Sequence, residues 1–388
     1  MKLSESRILT THAGSLPRPK ALTELYARRA HGEPVDQAKL DAAAREATKW
    51  IVARQREAGV DVANNGEQAR EGFFLYVQHR MSGFGGRWKR PPWKDLSNYP
   101  EFMEQRREWL SRREAVSNFD PPMAVSEVRY TNPSALEEEL SQFETALKEA
   151  GDGFAETFMT APSPGIIAAA MKNEHYDSEE AYLGALAEAL RVEFEAAVQR
   201  GFLLQIDAPD LALERHISYA DRPIGDFVAF VERVIASINK GLVNVPRDRV
   251  RLHVCWGNYE GPHDRDVALR EILPTIMQAN VGGFMMPFAN PRHSHEIDVF
   301  KDIRLKDDQA LIAGVIDTTT NYVEHPEVVA ERLQRAARAV GDPKRILAGT
   351  DCGFDTSAGM GRVASDVVWG KLEALRDGAK LASDRLFR

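Results

Sequence analysis

Short apolar runs alternate with longer stretches of helical periodicity along this chain. Each short run ends in a polar or glycine-rich corner, and apolar positions then recur every three or four residues in the stretch that follows. That alternation is typical of parallel βα units. The predicted strands are residues 8–15, 60–67, 155–161, 203–208, 250–255, 282–288, 311–317 and 345–352. Eight such units predict an α/β fold, a (β/α)8 TIM barrel.

Three intervening segments are predicted helices. Residues 37–58 repeat alanines with a helical period, and residues 178–200 open with Ser178 followed by two glutamates in the first turn. Residues 326–340 begin with a proline, which the first turn of a helix accepts. Helices of this kind would cover the outside of the barrel.

One connection, residues 68–154, is far longer than the few residues that usually join strands and helices in such folds. Its segment 84–93 is basic and aromatic, and residues 123–131 alternate like a strand of a small hairpin. A lid over the barrel mouth and a packing surface for a homo-oligomer remain equally open. We therefore predict one barrel domain over residues 1–388, with 68–154 inserted as a lid or subdomain.

The composition is that of a globular protein that can bury a large core, with 43% hydrophobic and 28% charged residues. A net charge of −8 gives no general attraction for nucleic acid or for anionic membranes. No apolar run approaches the ~20 residues that cross a bilayer, and the first residues lack the apolar core of a signal peptide. The sequence predicts a cytoplasmic protein.

The chain has only two cysteines, too few for a disulfide framework. His253 and Cys255 are two residues apart on a predicted strand and so project to the same side. Cys352 follows the last strand, at the barrel face that holds active sites. Two thiolates and an imidazole suit zinc, at ~2.3 and ~2.0–2.1 Å, and leave a fourth position open. The alternative is that each cysteine is simply a small buried residue.

A zinc ion at such a site would determine the chemistry. A free thiol, with a pKa of about 8.5, is mostly protonated at neutral pH, whereas a zinc-bound thiol is deprotonated. A substrate thiol in the open position would become a nucleophile able to attack an alkyl carbon. These residues therefore favour a zinc-dependent thiol alkyltransferase.

Five motifs, in one order along nearly the whole chain, resemble the catalytic domain of cobalamin-independent methionine synthase. They are Thr10-Thr-His-Ala-Gly-Ser-Leu-Pro-Arg18, Asn65-Gly-Glu67, Gln205-Ile-Asp207-Ala-Pro, His253-Val-Cys255 and Asp351-Cys352-Gly. That family is a zinc-dependent TIM barrel that activates a thiol for alkyl transfer. The resemblance implies that His253, Cys255 and Cys352 bind zinc. It also implies that Ser15, Glu67 and Asp207 hold the amino-acid part of homocysteine.

Three positions depart from the family's pattern. Pro287 stands where the methionine synthases supply a fourth, carboxylate ligand, and Thr319 stands near the position of their general-acid histidine. The folate-stacking region, residues 161–165, lacks a tryptophan. These departures argue against methyl-folate as the donor and resemble the branch that includes epoxyalkane:coenzyme M transferase. Glu67 and Asp207, however, suit a substrate ammonium better than a sulfonate.

Four further residues are candidates for catalysis or binding. Arg292 could clamp a carboxylate and His293 could act as a general acid, unless their loop only caps the next helix. His12 could donate a proton to a leaving oxygen or simply bond a backbone carbonyl. Asp317 could orient a ligand histidine.

The sequence thus predicts a zinc-dependent, S-methyltransferase-like enzyme. Its partners would be a homocysteine-like small thiol and an unidentified alkyl donor. An epoxide-opening transferase, a zinc lyase or hydrolase, and a non-catalytic barrel are the alternatives.

Overall fold

The computed structural model describes residues 1–151 and 153–387, and its core is a parallel sheet. The sheet has seven strands in the order β1-β4-β5-β6-β7-β8-β9, and a separate antiparallel hairpin pairs β2 with β3. The strands are β1 Val62–Ala63, β2 Met81–Gly85, β3 Met123–Tyr130, β4 Glu156–Pro162, β5 Leu203–Asp207, β6 Val250–His253, β7 Gly283–Pro287, β8 Ala310–Ile316 and β9 Ile346–Thr350.

Helices connect these strands and cover the sheet. The α-helices are α1 Lys20–Ala30, α2 Gln37–Ala58, α3 Lys94–Ser97, α4 Pro100–Ser111, α5 Pro133–Ala150, α6 Pro164–Ala170, α7 Glu179–Gln199, α8 Asp210–Leu213, α9 Ile224–Gly241, α10 Leu269–Ile276, α11 Pro326–Val340 and α12 Ser365–Leu386. Short 3₁₀ helices span Leu75–His79, Glu214–His216, Arg247–Arg249, Glu296–Lys301 and Pro343–Arg345. The three predicted helices are confirmed as α2, α7 and α11, and Ser178 caps α7 by accepting a hydrogen bond from the Ala181 amide.

The first predicted strand, residues 8–15, closes the sheet through isolated bridges. Thr10 pairs with Ala348 of β9 and Thr11 pairs with Val62 of β1, both in parallel. The Thr11 amide donates to the Ala348 carbonyl at 2.8 Å, and the Val62 amide donates to the Thr10 carbonyl at 2.9 Å. The predicted α/β fold is confirmed. The first predicted strand, however, forms only these two bridges among the described residues and is not a continuous strand.

The barrel interior contains a buried arginine that holds the closing segment in place. Arg251 on β6 donates to Thr11 Oγ1 at 3.1 Å and to the His12 carbonyl at 3.0 Å. Its guanidinium lies 3.7 Å from the centre of the Phe158 ring. Burial lowers the pKa of Arg251 to about 9.

Residues 68–154 fold against the barrel, and the predicted strand 123–131 is confirmed as β3. A buried ion-pair network anchors this insertion: Arg70 contacts Glu139 at 2.8 Å, and Arg80 contacts Glu193 of α7 at 2.9 Å. Burial alone would raise the pKa of Glu139, but Arg70 and Arg80 outweigh it and lower that pKa to about 2. Among the described residues, no helix is long and apolar enough to cross a membrane.

Candidate functional site

The two cysteines and His253 meet at the carboxyl ends of the parallel strands. His253 is the last residue of β6, Cys255 follows two residues later, and Cys352 lies two residues beyond the end of β9. The sulfur atoms are 4.0 Å apart, and one donor atom from each of the three side chains lies within 4.8 Å of the others. All three side chains are buried. This cluster is called the thiol triad below.

Asp207 orients the histidine of the thiol triad. It ends β5, next to His253 in the sheet register, and its Oδ1 lies 3.0 Å from His253 Nδ1. In the neutral imidazole, a proton on Nδ1 leaves Nε2 with a lone pair, as in metal-bound histidines. Asp317, predicted for this role, instead accepts hydrogen bonds from its own loop, from the Thr319 amide at 2.9 Å and from Thr320 at 2.6 Å.

The two cysteines differ in acidity. The hydrogen bond with Cys352 lowers the pKa of Cys255, against the effect of burial, and His253 lowers it further. The same hydrogen bond, together with burial, raises the pKa of Cys352. Burial lowers the pKa of His253, but Cys255 and Asp207 outweigh this and raise it to about 10. Cys255 is therefore the more acidic of the two thiols.

The thiol triad opens into a cavity that Ser15, Glu67 and Asp207 also line. Glu67 Oε1 accepts a hydrogen bond from Thr160 Oγ1 at 3.0 Å, but Glu67 Oε2 and Ser15 Oγ are buried with no partner among the described residues. Buried polar atoms are normally hydrogen-bonded, so these two atoms are available to a ligand in the cavity. Burial and the neighbouring Asp207 raise the pKa of Glu67 to about 7.

The backbone at Glu67 is held in an uncommon conformation. Its φ is 57°, in the left-handed region that non-glycine residues seldom adopt. The Asn65 side chain accepts a hydrogen bond from the Glu67 amide at 3.0 Å and fixes this turn. Strain of this kind is concentrated at functional sites.

The insertion forms the outer wall of the same cavity. Its contributing residues are Phe73, Phe74, Arg90, Trp93, Arg106, Trp109, Asn118 and Phe119. Arg106 is 8% exposed and has no hydrogen-bond or ion-pair partner among residues 1–151 and 153–387. Its guanidinium lies 5.2 Å from the Trp93 ring and 5.6 Å from the Tyr259 ring. Burial and Arg362 lower the pKa of Arg106. A lid over residues 68–154 was one prediction from the sequence, but its cavity-lining residues were not predicted, and the basic, aromatic segment 84–93 was the signal for them.

Two predicted residues do not reach the thiol triad. His12 is buried elsewhere, with Nε2 2.8 Å from the Gln55 side chain and Nδ1 accepting from the Gly14 amide at 3.2 Å. Burial lowers its pKa to about 4. Arg292 is exposed and is absent from the described lining of the cavities around the cysteines.

A second, smaller cavity lies on another side of the cysteines. Both cysteines line it, together with Pro287, Asp317, Thr318, Thr319, His263 and His293. His293 is thus near the thiol triad, but carboxylates hold both of its ring nitrogens, Glu296 at 2.9 Å and Asp266 at 2.8 Å. Its ring stacks on Trp256 with centroids 3.8 Å apart.

Comparisons with known proteins agree with this architecture. The methionine synthase of Sulfolobus acidocaldarius is 26% identical over 352 residues, covering 89% of this chain and 85% of that protein. The methionine synthase of Thermococcus kodakarensis is 26% identical over 348 residues, covering 89% and 86%.

A solved B12-independent methionine synthase from Shewanella sp. W3-18-1, in complex with selenomethionine, has the same fold, with a TM-score of 0.73 and 20% identity. That match covers 98% of this chain and 99% of the other. A putative vitamin-B12 independent methionine synthase from Listeria monocytogenes matches with a TM-score of 0.64 and 20% identity, covering 96% and 98%. Residues 97–368 match the family model of the cobalamin-independent synthase catalytic domain. The family that the motifs implied is therefore confirmed: the chain belongs to the cobalamin-independent synthase catalytic domain family.

Proposed function

We propose that this protein is a zinc-dependent thiol S-methyltransferase that alkylates homocysteine or a closely related thiol. The observation that carries the proposal is the thiol triad, two thiols and an imidazole in one cavity. The same cavity holds polar atoms that have no partner within the described part of the chain. The names of the related proteins, methionine synthases, agree with it.

The thiol triad fits zinc in donor type and spacing. Two sulfurs bound to tetrahedral zinc at ~2.3 Å lie ~3.8 Å apart, close to the 4.0 Å between Cys255 and Cys352. Asp207 holds His253 Nδ1, so Nε2 is the nitrogen that would bind the metal. When bound, zinc would hold a substrate thiol as its thiolate at neutral pH.

The remaining polar atoms suit the amino-acid part of that thiol. Glu67 and Asp207 place negative charge in a buried wall, which favours an ammonium group. Ser15 Oγ and Glu67 Oε2, without partners among the described residues, are available to the ligand. Holding the sulfur and the alkyl carbon in line could contribute about 7–11 kcal/mol at best towards the barrier.

The outer wall of the cavity suits a different group. Arginine keeps its charge at neutral pH, so the buried Arg106, unpaired among the described residues, favours an anion beside it. Trp93, Phe119 and Tyr259 provide an apolar surface next to that charge. We therefore assign this wall to an anionic alkyl donor, with the insertion acting as a lid that excludes water.

Metal analysis of the purified protein tests the thiol triad directly. Near-stoichiometric zinc is expected, with loss in Cys255→Ala and in Cys352→Ala. The matched control is Ser15→Ala, which should keep zinc while weakening homocysteine binding. X-ray absorption should detect a third zinc–sulfur contact when homocysteine is added. Zinc that remains in both cysteine variants would remove the basis of the proposal.

Donor assays test the reaction. Thiol consumption with methyl donors and with epoxides would separate methyl transfer from epoxide opening. Consumption with methyl donors alone supports the S-methyltransferase. If the thiol is consumed only with epoxides, the protein would instead be assigned to the branch that includes epoxyalkane:coenzyme M transferase.

A further inference from the structure

Three histidines surround one carboxylate beside the smaller cavity. Asp266 Oδ2 lies 2.9 Å from His263 Nδ1 and 2.8 Å from His293 Nε2, and Asp266 Oδ1 lies 3.0 Å from His216 Nδ1. All four side chains are buried. They come from the connections that follow β5, β6 and β7, so the fold brings them together at the active-site face.

The outer nitrogen of each histidine has an acceptor that fixes its proton. His263 Nε2 lies 3.0 Å from the Tyr259 carbonyl, and His293 Nδ1 lies 2.9 Å from the Glu296 carboxylate. His216 Nε2 lies 3.3 Å from the Tyr259 hydroxyl, which itself donates to Asp95 and therefore accepts from the histidine. All three outer nitrogens thus carry hydrogen.

This arrangement determines the protonation of the three inner nitrogens, the ones that face Asp266. A neutral imidazole has one N–H and one lone pair, so three neutral histidines would all direct lone pairs at the oxygens of Asp266. Lone pairs at 2.8–3.0 Å repel unless positive charge lies between them. Protons on the inner nitrogens can supply that charge, and so can one metal ion.

Two features favour the metal ion. Although 3.0 Å apart, His216 Nδ1 and Asp266 Oδ1 form no hydrogen bond of acceptable geometry, and neither atom has another partner among the described residues. Outer nitrogens that donate to a carbonyl or a carboxylate are also the usual surroundings of metal-binding histidines.

We propose that His263, Asp266 and His293 bind a second divalent metal ion, with His216 as a further donor. One donor atom from each of the first three residues lies within 4.8 Å of the others. Two imidazoles and one carboxylate, without a thiolate, form the donor set of non-haem Fe(II) sites and also accept zinc. This donor set differs from the sulfur-rich thiol triad, so the two sites can hold different metals.

The second site adjoins the first. His263 and His293 line the smaller cavity together with Cys255 and Cys352. His293 stacks on Trp256, the residue that follows Cys255, and His263 has a φ of 52°, a strained conformation for a non-glycine residue. A metal ion here would therefore fix the loop that follows Cys255.

The test uses protein from which the thiol triad has been removed, so that its outcome is independent of the proposed methyltransferase activity. The double variant Cys255→Ala/Cys352→Ala is incubated with Fe(II) without oxygen, or with Zn(II), and its metal content is measured after desalting. We expect one tightly bound equivalent in the double variant. Its X-ray absorption spectrum should show nitrogen and oxygen neighbours without sulfur.

Two further variants on that background complete the test. His293→Gln or Asp266→Asn should lose this equivalent, whereas the control His295→Gln, an exposed residue of the same loop, should retain it. Circular dichroism checks that each variant is folded. A folded double variant that binds neither ion would overturn the proposal and leave the cluster as a hydrogen-bonded histidine–aspartate network.

Discussion

Glu67 is the residue whose ionisation should control substrate binding. Burial and Asp207 raise its pKa to about 7, and an ammonium ligand favours the charged carboxylate. Binding of methionine, which has no titrating thiol, should therefore tighten as the pH rises through about 7. Below that pH, affinity should fall by up to about tenfold per pH unit.

Isothermal titration with methionine across this pH range measures the effect. Glu67→Gln is the matched variant, because it keeps the shape of the side chain and cannot ionise. It should bind more weakly and lose the pH dependence. Wild-type affinity that stays constant across the range would contradict an ammonium at Glu67.

A substitution at Arg106 should weaken binding of the alkyl donor without changing binding of homocysteine. Because its guanidinium is buried and unpaired among the described residues, Arg106→Gln should raise the KM for an anionic donor by about tenfold or more, the effect of losing one charge-assisted hydrogen bond. Thermal protection by homocysteine should not change. The control is Arg107→Gln, an exposed neighbour on the same helix. Loss of homocysteine protection instead would assign Arg106 to the carboxylate of the amino acid.

At the scale of single residues, the sequence could identify the thiol triad because cysteines are rare and strand ends meet at one face. It could not show that His12 turns away from the cysteines, because that follows from its long-range contact with Gln55 of α2. The contact between Asp207 and His253 depends on the pairing of β5 with β6. No local sequence pattern predicts that pairing.

At the scale of elements, the insertion depends on buried charged contacts for its position. A buried ion pair joins it to the barrel: Arg90 contacts Glu214 at 2.8 Å, and both side chains are almost fully buried. Removing one member of a buried pair leaves the other uncompensated, at a cost of about 3–5 kcal/mol. Arg90→Gln should therefore loosen the insertion.

Limited proteolysis measures this loosening. Cleavage within residues 86–120 should become faster in Arg90→Gln, while the barrel fragments stay resistant. Arg112→Gln, on an exposed ion pair of α4, is the control and should behave like the wild type. Equal cleavage of the two variants would show that the ion pair does not hold the insertion closed.

The positions of the helices and of the hairpin could be predicted from residues close together in the sequence. The orientation of the insertion over the cavity could not. Helix α2 was predictable to the residue because its alanine periodicity is regular and Asp36 and Gly59 bound it. Trp93 and Arg106 face the cavity only because the segment folds back over Tyr259, a contact between positions far apart in the chain.

At the scale of the whole molecule, barrel closure depends on a short segment that pairs weakly with each neighbour. Eight units were predictable from their alternation, but the sequence could not show that residues 8–15 pair through only two bridges. Side chains supplement this pairing: Asp61 accepts from the Thr10 amide at 2.9 Å and binds Arg7 through both carboxylate oxygens.

Asp61→Ala should therefore weaken closure and lower the stability of the entire barrel. It leaves the Thr10 amide without its acceptor and breaks the Arg7 pair, which together should reduce the free energy of unfolding by about 1–3 kcal/mol. Urea unfolding measures the change. Asp377→Ala, in an exposed ion pair, is the control and should have little effect. A stable Asp61→Ala protein would show that the bridges suffice.

The separation of the two cysteines along the chain has a thermodynamic consequence. Cys255 and Cys352 are 97 residues apart, so an ion bound to both cross-links a loop of that length. By analogy with a disulfide closing a loop of ~100 residues, such a cross-link could restrict the unfolded chain by about 4–5 kcal/mol. The ion that would activate the substrate thiol would then also stabilise the folded chain. Metal starvation would lower the amount of folded protein in a cell as well as its activity.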